Sequence, residues 1–143
     1  MFSKAFGYAL RGLVYVAIHG KERRRVGLLE ISKDLQVPHH FLGKIMQDLV
    51  RHQIIDSVKG PNGGFFLNEQ TLNTPLIAVL LIVDGSAVFN HCALGIKNCN
   101  AAAPCPLHDE FAAARNQMLE TMNTKTIGKM AAEVESGASF LSR

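Results

Sequence analysis

Residues 28–67, LLEISKDLQVPHHFLGKIMQDLVRHQIIDSVKGPNGGFFL, hold two short amphipathic segments and then two apolar runs separated by a glycine-rich turn. Leu28, Ile31 and Leu35 recur at helical spacing and predict one short helix. Pro38 stands where a second helix can begin, because proline fits the first turn of a helix and breaks its interior. Two short helices joined by a tight turn form the helix-turn-helix pattern.

The second predicted helix has an apolar face and an opposite polar stripe, and it ends near His52. The residues expected to be buried are Phe41, Leu42, Ile45, Leu49 and Val50. The opposite stripe carries Gly43 and four candidate DNA-reading residues, His39, His40, Lys44 and Gln47. In helix-turn-helix proteins such a stripe enters the major groove, where lysine and glutamine hydrogen-bond base edges. The alternative is a solvated polar helix face, which is the commoner kind of stripe.

The remainder of the stretch predicts a β-hairpin. The runs IIDSV (54–58) and FFL (65–67) are short strand candidates, and KGPNGG (59–64) between them is dense in turn formers. Its glycines permit positive φ and a close approach of backbone to another surface, and Lys59 is placed to meet a phosphate. The candidate DNA contacts in this wing are Lys59, Gly60, Asn62, Gly63 and Gly64.

A longer helix precedes this unit and completes the expected fold. Its apolar positions are Phe6, Leu10, Leu13, Val14 and Ala17, and Gly20 marks its end. The order of helix, helix-turn-helix and hairpin is more specific than any one element. We therefore expect a mainly α protein with a winged helix-turn-helix DNA-binding domain over residues 1–85 and a two-stranded wing.

The second half predicts a buried helix, a loop and a long C-terminal helix. TPLIAVLLIVDG (74–85) reads as a buried helix ended by Gly85, and residues 90–104 lack sustained periodicity. A long helix is expected from Pro106, with a stripe on one face at Phe111, Ala114, Met118 and Met122. We interpret this stripe as a homodimer seam, the alternative being packing on its own domain. Region boundaries are 86–105 for the cysteine loop and 106–143 for the dimerisation helix with a short closing helix.

Composition and charge limit the class of protein. At 48% hydrophobic and 19% charged residues, the 143-residue chain is expected to fold and not to be disordered. The longest apolar run, residues 76–83, is too short to span a bilayer, and residues 1–25 read as a helix of the fold and not a signal peptide. We therefore expect a cytoplasmic protein with no membrane partner. Residues 1–66 carry ten Lys/Arg and five Asp/Glu, a net of +5, which weakly favours a polyanion such as double-stranded DNA.

All three cysteines lie in one window, CALGIKNCNAAAPCPLHDEF (92–111). They are Cys92, Cys99 and Cys105, and His108 follows the last by three residues. Three is an odd number for a disulfide framework, and a reducing compartment favours metal binding or redox sensing. Metal-free thiols and a structural zinc site of three cysteines and one histidine are the alternatives.

The chain resembles the Rrf-two family of bacterial winged-helix regulators, whose members include an iron–sulfur cluster regulator and a nitric-oxide-sensing repressor. The resemblance rests on LLEISKDLQVPHHFLGKIMQDL (28–49), VKGPNGGFFL (58–67), VDG (83–85), the spaced cysteines and TKTIGKMA (124–131), in the expected order. It implies a dimeric transcription regulator, not an enzyme and without a small-molecule substrate. It also implies a redox-sensitive iron–sulfur cluster, with [2Fe–2S] favoured over [4Fe–4S].

The chemistry of the window suits that implication. Three thiolates and an imidazole complete a four-ligand site, and histidine ligation raises the potential. Cys105 precedes Pro106 and is expected at a helix N-terminus, whose positive dipole end favours a thiolate. His108 is expected one turn along the same helix face.

Three departures from the family pattern bear on these assignments. The first cysteine gap is one residue longer than in the family's cluster regulator, and Tyr8 stands where some members have a partner-subunit carboxylate ligand. This favours His108 as fourth ligand over Asp109 or His91. Gly43 replaces a discriminating side chain, so the target sequence does not carry over.

A small iron–sulfur electron carrier is the remaining alternative, although such a protein has no use for a wing.

Overall fold

The computed structural model describes residues 2–90, 92, 94–96 and 100–141, which are mainly helical with one two-stranded antiparallel sheet. This confirms the predicted fold class. The elements in chain order are α1 Lys4–His19, a 3-10 turn Lys21–Arg23, α2 Leu28–Leu35, α3 His39–Arg51, β1 Asp56–Val58, β2 Gly64–Phe66, α4 Glu69–Leu72, α5 Leu76–Val83, α6 Ala87–Asn90, α7 His108–Thr124 and α8 Ile127–Glu135. Over the described ranges, every helix is too short or too polar to cross a bilayer.

Helix α1 is the central support of the core. Ser3 caps its start by accepting a hydrogen bond from the Phe6 amide at 3.0 Å, and Gly20 ends it as predicted. The residues of α1 that form the core cluster are Phe6, Ala9, Leu13 and Val16. A β-carbon added at Gly12 would lie 3.2 Å from the Met46 sulfur, so glycine permits the close crossing of α1 and α3.

Helices α2 and α3 form the predicted helix-turn-helix. Gln36 adopts left-handed backbone at φ 53°, and the Ser32 hydroxyl donates to the Val37 carbonyl at 3.1 Å, which closes the turn. The expected burial of α3 is confirmed for Leu42, Ile45 and Leu49. It is wrong for Phe41, which is 43% exposed, and Val50 is only half-buried. Met46 takes the core position instead, while the Phe41 ring packs edge-on against Tyr8 of α1 with centroids 5.7 Å apart.

Glu30 ties the basic turn and α1 to α2. Its two carboxylate oxygens accept from one Arg24 guanidinium nitrogen at 2.9 and 3.0 Å, and one of them accepts from the Tyr15 hydroxyl at 3.3 Å. Burial is the main cause that raises the pKa of Tyr15 above its ordinary value of 10.0, and the nearby Asp34 and Glu30 carboxylates add to it. Tyr15 is therefore a neutral hydrogen-bond donor at physiological pH.

The wing is an antiparallel hairpin in which Asp56 pairs with Phe66 and Val58 pairs with Gly64. Val26 adds a bridge that was not predicted, because its amide and carbonyl bond the carbonyl and amide of Phe65 at 2.9 and 2.8 Å. Gly64 lies at φ 147°, and a β-carbon there would lie 2.7 Å from the Val26 carbonyl oxygen. The bridge therefore requires glycine at this position.

Helix α5 is buried or half-buried along its length except at Leu81, so the expectation of a buried helix holds apart from that residue. Leu76, Val79 and Leu80 enter the core, whereas Leu81 is 45% exposed. Gly85 follows at φ 74°, which is consistent with its role as the end signal. Helices α4 and α6 were not predicted, because each has only four residues and no periodicity shows over one turn.

Helices α7 and α8 complete the described chain. Helix α7 begins at His108 and not at Pro106, because residues 106 and 107 form a turn before it. Helix α8 confirms the closing helix: Thr126 caps it, and Ile127 and Ala131 are buried where it packs against α1. The last predicted region thus contributes to the core of the first, while its boundaries remain a prediction.

Candidate functional site

The polar stripe of α3 lies on the surface. His39, His40, Lys44 and Gln47 are all exposed, and the two histidine rings meet edge to face with centroids 5.8 Å apart. The expectation that Gly43 belongs to this stripe is wrong. It is buried, and a β-carbon there would lie 3.1 Å from the Leu28 side chain, so Gly43 faces the crossing with α2.

The tip of the wing is built from backbone. Gly60 lies at φ 108°, and its carbonyl accepts from the Gly63 amide at 2.9 Å, which closes the turn. The candidate contacts Lys59, Gly60 and Asn62 are exposed, and Gly63 and Gly64 are half-buried. The tip therefore offers one cationic side chain, one amide side chain and a closely approachable main chain.

A groove of about 420 Å³ separates the end of α3 from the wing. Gln47 lines it from the helix and Lys59 lines it from the hairpin, so two predicted DNA contacts from different elements face the same space. The groove also contains Arg51 and Ser57, which were not predicted as site residues. The signal for Arg51 was its helical spacing: it follows Gln47 by four residues and so extends the same stripe.

The cysteine window is described in part. Cys92, Cys105 and His108 are half-buried, while Cys99 and the alternative ligand His91 lie outside the described residues. The Cys105 carbonyl accepts from the His108 amide at 3.0 Å, so one turn holds both candidate ligands. Because α7 starts at His108, Cys105 precedes the helix, and the expected shared helix face is wrong.

The donor chemistry of these residues fits an iron–sulfur cluster or another soft metal site, since thiolates and imidazole are the ligands that such sites use. Within the described residues, no three histidine, cysteine or carboxylate side chains are assembled as a metal site. With Cys99 outside the description, the predicted ligand set of Cys92, Cys99, Cys105 and His108 remains a prediction. The alternative ligand Asp109 is exposed in the first turn of α7.

The apolar stripe of α7 divides between two environments. Phe111 is 41% exposed and Ala114 is exposed, while Met118 is half-buried. Met122 packs against the core of its own chain, at the end of a helix that lies against α5. Part of the predicted dimer seam therefore holds α7 in place, and the part around Phe111 faces outward.

The chain is similar to known proteins both in sequence and in fold. The model of the Rrf2 family, described as an iron-dependent transcriptional regulator, matches residues 2–133. A protein of Aquifex aeolicus named as an HTH-type transcriptional regulator is 30% identical over 129 residues, which is 89% of this chain and 88% of that one. The transcriptional regulator IscR of Sodalis glossinidius is 27% identical over 128 residues, 90% and 76% of the two chains.

Two solved structures share the fold. CymR, the global cysteine regulator of B. subtilis, superposes with a TM-score of 0.76 at 15% identity, covering 92% of this chain and 96% of that one. IscR of T. potens superposes with a TM-score of 0.73 at 16% identity, covering 98% and 92%. The exposed polar stripe of α3 and the wing thus belong to a chain that the family model matches almost throughout, and this protein belongs to the Rrf2 family of winged-helix transcriptional regulators.

Proposed function

We propose that this regulator binds double-stranded DNA through α3 and the wing. The carrying observation is that Gln47 of α3 and Lys59 of the hairpin line one groove, while the buried Leu42, Ile45 and Leu49 fix α3 in the core. In this arrangement His39, His40, Lys44 and Gln47 meet base edges in the major groove. Lys59, Gly60, Asn62, Gly63 and Gly64 meet the neighbouring backbone or minor groove.

The DNA-binding experiment distinguishes recognition of the bases from electrostatic attraction to the phosphates. We expect Lys59→Ala to weaken binding to every duplex and to flatten the dependence of log K on log salt by about 0.9 per lost phosphate contact. Gln47→Ala should instead relax the preference at one base position of a site selected from a randomised pool. Lys129→Ala is the matched control, since Lys129 is an exposed lysine beside Gln117 and Thr124 on another surface. Wild-type affinity and preference in both test variants would contradict the assignment.

We also propose that the regulator is a homodimer with a seam along the outward part of α7. Supporting it, Phe111 is 41% exposed on α7 and Leu81 is 45% exposed on α5, and these two helices pack together. Two copies would read a palindromic site whose half-sites lie about 34 Å apart or a multiple of that. Light scattering should give twice the chain mass for the wild type and a single mass for Phe111→Asp. Phe140→Asp, at an 80% exposed position, is the control.

For the cysteine window we propose an iron–sulfur cluster held by Cys92, Cys99, Cys105 and His108. The support is the donor chemistry, the single turn that joins Cys105 to His108, and the iron dependence in the description of the family. When bound, such a cluster supplies reversible one-electron chemistry and sensitivity to oxidants or nitric oxide. Cys92 follows α6 and Cys105 precedes α7, so these ligands span the connection between the two helices.

The ligand assignment is tested on anaerobically purified protein by absorption and by iron and sulfide content. We expect His108→Ala to make the cluster labile while the dimer stays folded, and His108→Cys to retain it at lower potential. An unchanged spectrum, potential and lifetime in His108→Ala would exclude His108. Colourless protein that contains zinc would establish the zinc alternative, because the same ligand set also suits that metal.

A further inference from the structure

We infer that Arg51 is a further contact to the DNA backbone, positioned across the groove from Lys59, and that Asp48 restrains its guanidinium in the free protein. This rests on the proposed DNA binding. Arg51 occupies the last turn of α3, and its side chain is 71% exposed. Its guanidinium lies 3.1 Å from a carboxylate oxygen of Asp48, one turn earlier on the same helix.

The groove has the chemistry of a phosphodiester site. Its two walls carry one cation each, Arg51 on the helix and Lys59 on the hairpin, and its apolar residues include Val50 and Phe65. None of the described residues that line it is acidic. When α3 lies in a major groove and the wing reaches the adjacent minor groove, the strand between those grooves passes between helix and hairpin. Arginine suits this position because its planar fork binds phosphate oxygens in pairs.

Asp48 is not among the residues that line the groove, but its carboxylate competes with a phosphate for the Arg51 guanidinium. The Asp48 side chain is half exposed, and an ion pair between two solvated groups is weak. A phosphate that arrives in the groove can therefore take over the guanidinium from the carboxylate. Removing the Asp48 charge should leave Arg51 more available and should also remove a repulsive charge near the backbone.

The test measures affinity against salt concentration, between about 50 and 200 mM, for an arbitrary duplex of about 30 base pairs and for the selected palindromic site. We expect Arg51→Ala to make the negative slope of log K against log salt shallower by about 0.9 on both duplexes. The melting temperature of the variant should be unchanged. Arg51→Lys should keep the wild-type slope of log K against log salt but should bind DNA less tightly than the wild type, since lysine is a point charge and lacks the planar fork of arginine. Asp48→Asn should tighten binding, and should tighten it less when combined with Arg51→Ala. Lys129→Ala is the control.

The outcomes separate the two proposals. If wild type binds DNA and Lys59→Ala lowers the salt slope while Arg51→Ala leaves it unchanged, the assignment of Arg51 is overturned and the proposed function stands. A lower melting temperature with an unchanged slope assigns Arg51 a purely structural role and likewise overturns the inference. If the wild-type dimer binds neither duplex, the proposed function fails and the inference fails with it.

Discussion

A β-carbon added to Gly63 would lie 2.1 Å from the carbonyl oxygen of Val58, across the tip of the wing. No side chain can move to relieve this contact, because the nearest atoms belong to the main chain. The tip of the hairpin is therefore closed only when residue 63 is glycine, and the proposed DNA contacts at 59–64 depend on that closure.

We expect Gly63→Ala to disorder the wing while leaving the helical core folded. The Phe65 amide, bonded to the Val26 carbonyl at 2.8 Å, should lose protection from hydrogen exchange, whereas amides of α1 should keep theirs. Sequence-independent DNA affinity should fall as in Lys59→Ala. Full protection at Phe65 in the variant would show that the wing tolerates a β-carbon.

Gly7→Ala should have the opposite effect on stability. Gly7 is an exposed position inside α1, and a β-carbon there would meet no atom within 4 Å beyond the adjacent residues and the backbone of its own helix. Glycine in a helix interior costs about 0.5–1 kcal/mol relative to alanine, so the variant should gain that much free energy of unfolding. Denaturant unfolding measures this gain. A loss of stability would contradict the expectation that the added methyl group is accommodated at this position.

Aspartate at the N-cap of α1 should destabilise the protein, whereas aspartate at the N-cap of α8 should be tolerated. The Ser3 hydroxyl donates to one carboxylate oxygen of Asp84, and the Ser3 amide donates to the other at 2.9 Å. Ser3→Asp keeps a good capping residue but sets two carboxylates together, so we expect a loss of about 1 kcal/mol or more.

The matched substitution is Thr126→Asp, where the capped amide belongs to Lys129 at 3.2 Å and Lys125 is the preceding residue. Here aspartate should be neutral or stabilising by a few tenths of a kcal/mol. Thermal unfolding compares the two variants directly. Equal changes in melting temperature for the two variants would mean that the Asp84 carboxylate does not destabilise an aspartate at position 3.

Tyr15→Phe should change how the free energy of unfolding depends on pH in the alkaline range. The raised pKa of Tyr15 means that the folded state holds this proton more tightly than the unfolded chain does. The resulting stabilisation is complete below pH 10 and is lost as pH rises through the folded pKa. The free energy of unfolding of the wild type, relative to that of Tyr15→Phe, should therefore be constant around neutral pH and fall above pH 10. A difference that stays constant through pH 11 would contradict this assignment.

Periodicity and turn chemistry, which are local, were enough to predict α1, α2, α3, the hairpin and the closing helix. Leu42, Ile45 and Leu49 recur on one helix face, and the glycines of the wing mark a turn whatever lies around them. The exposed stripe of His39, His40, Lys44 and Gln47 followed from the same spacing. So did the choice of the cysteine window as the candidate redox site.

Contacts between distant segments were decided by the tertiary structure. Gly43 is buried because Leu28 of α2 crosses above it, a relationship that the period of α3 alone does not contain. The Val26 bridge to Phe65 joins residues far apart in the chain, and a single paired residue leaves no sequence pattern. Arg51 joins Lys59 in one groove only because the hairpin folds back beside the end of α3. Spacing identifies the face of an element, whereas the packing of that element against its neighbours determines which part of the face reaches solvent.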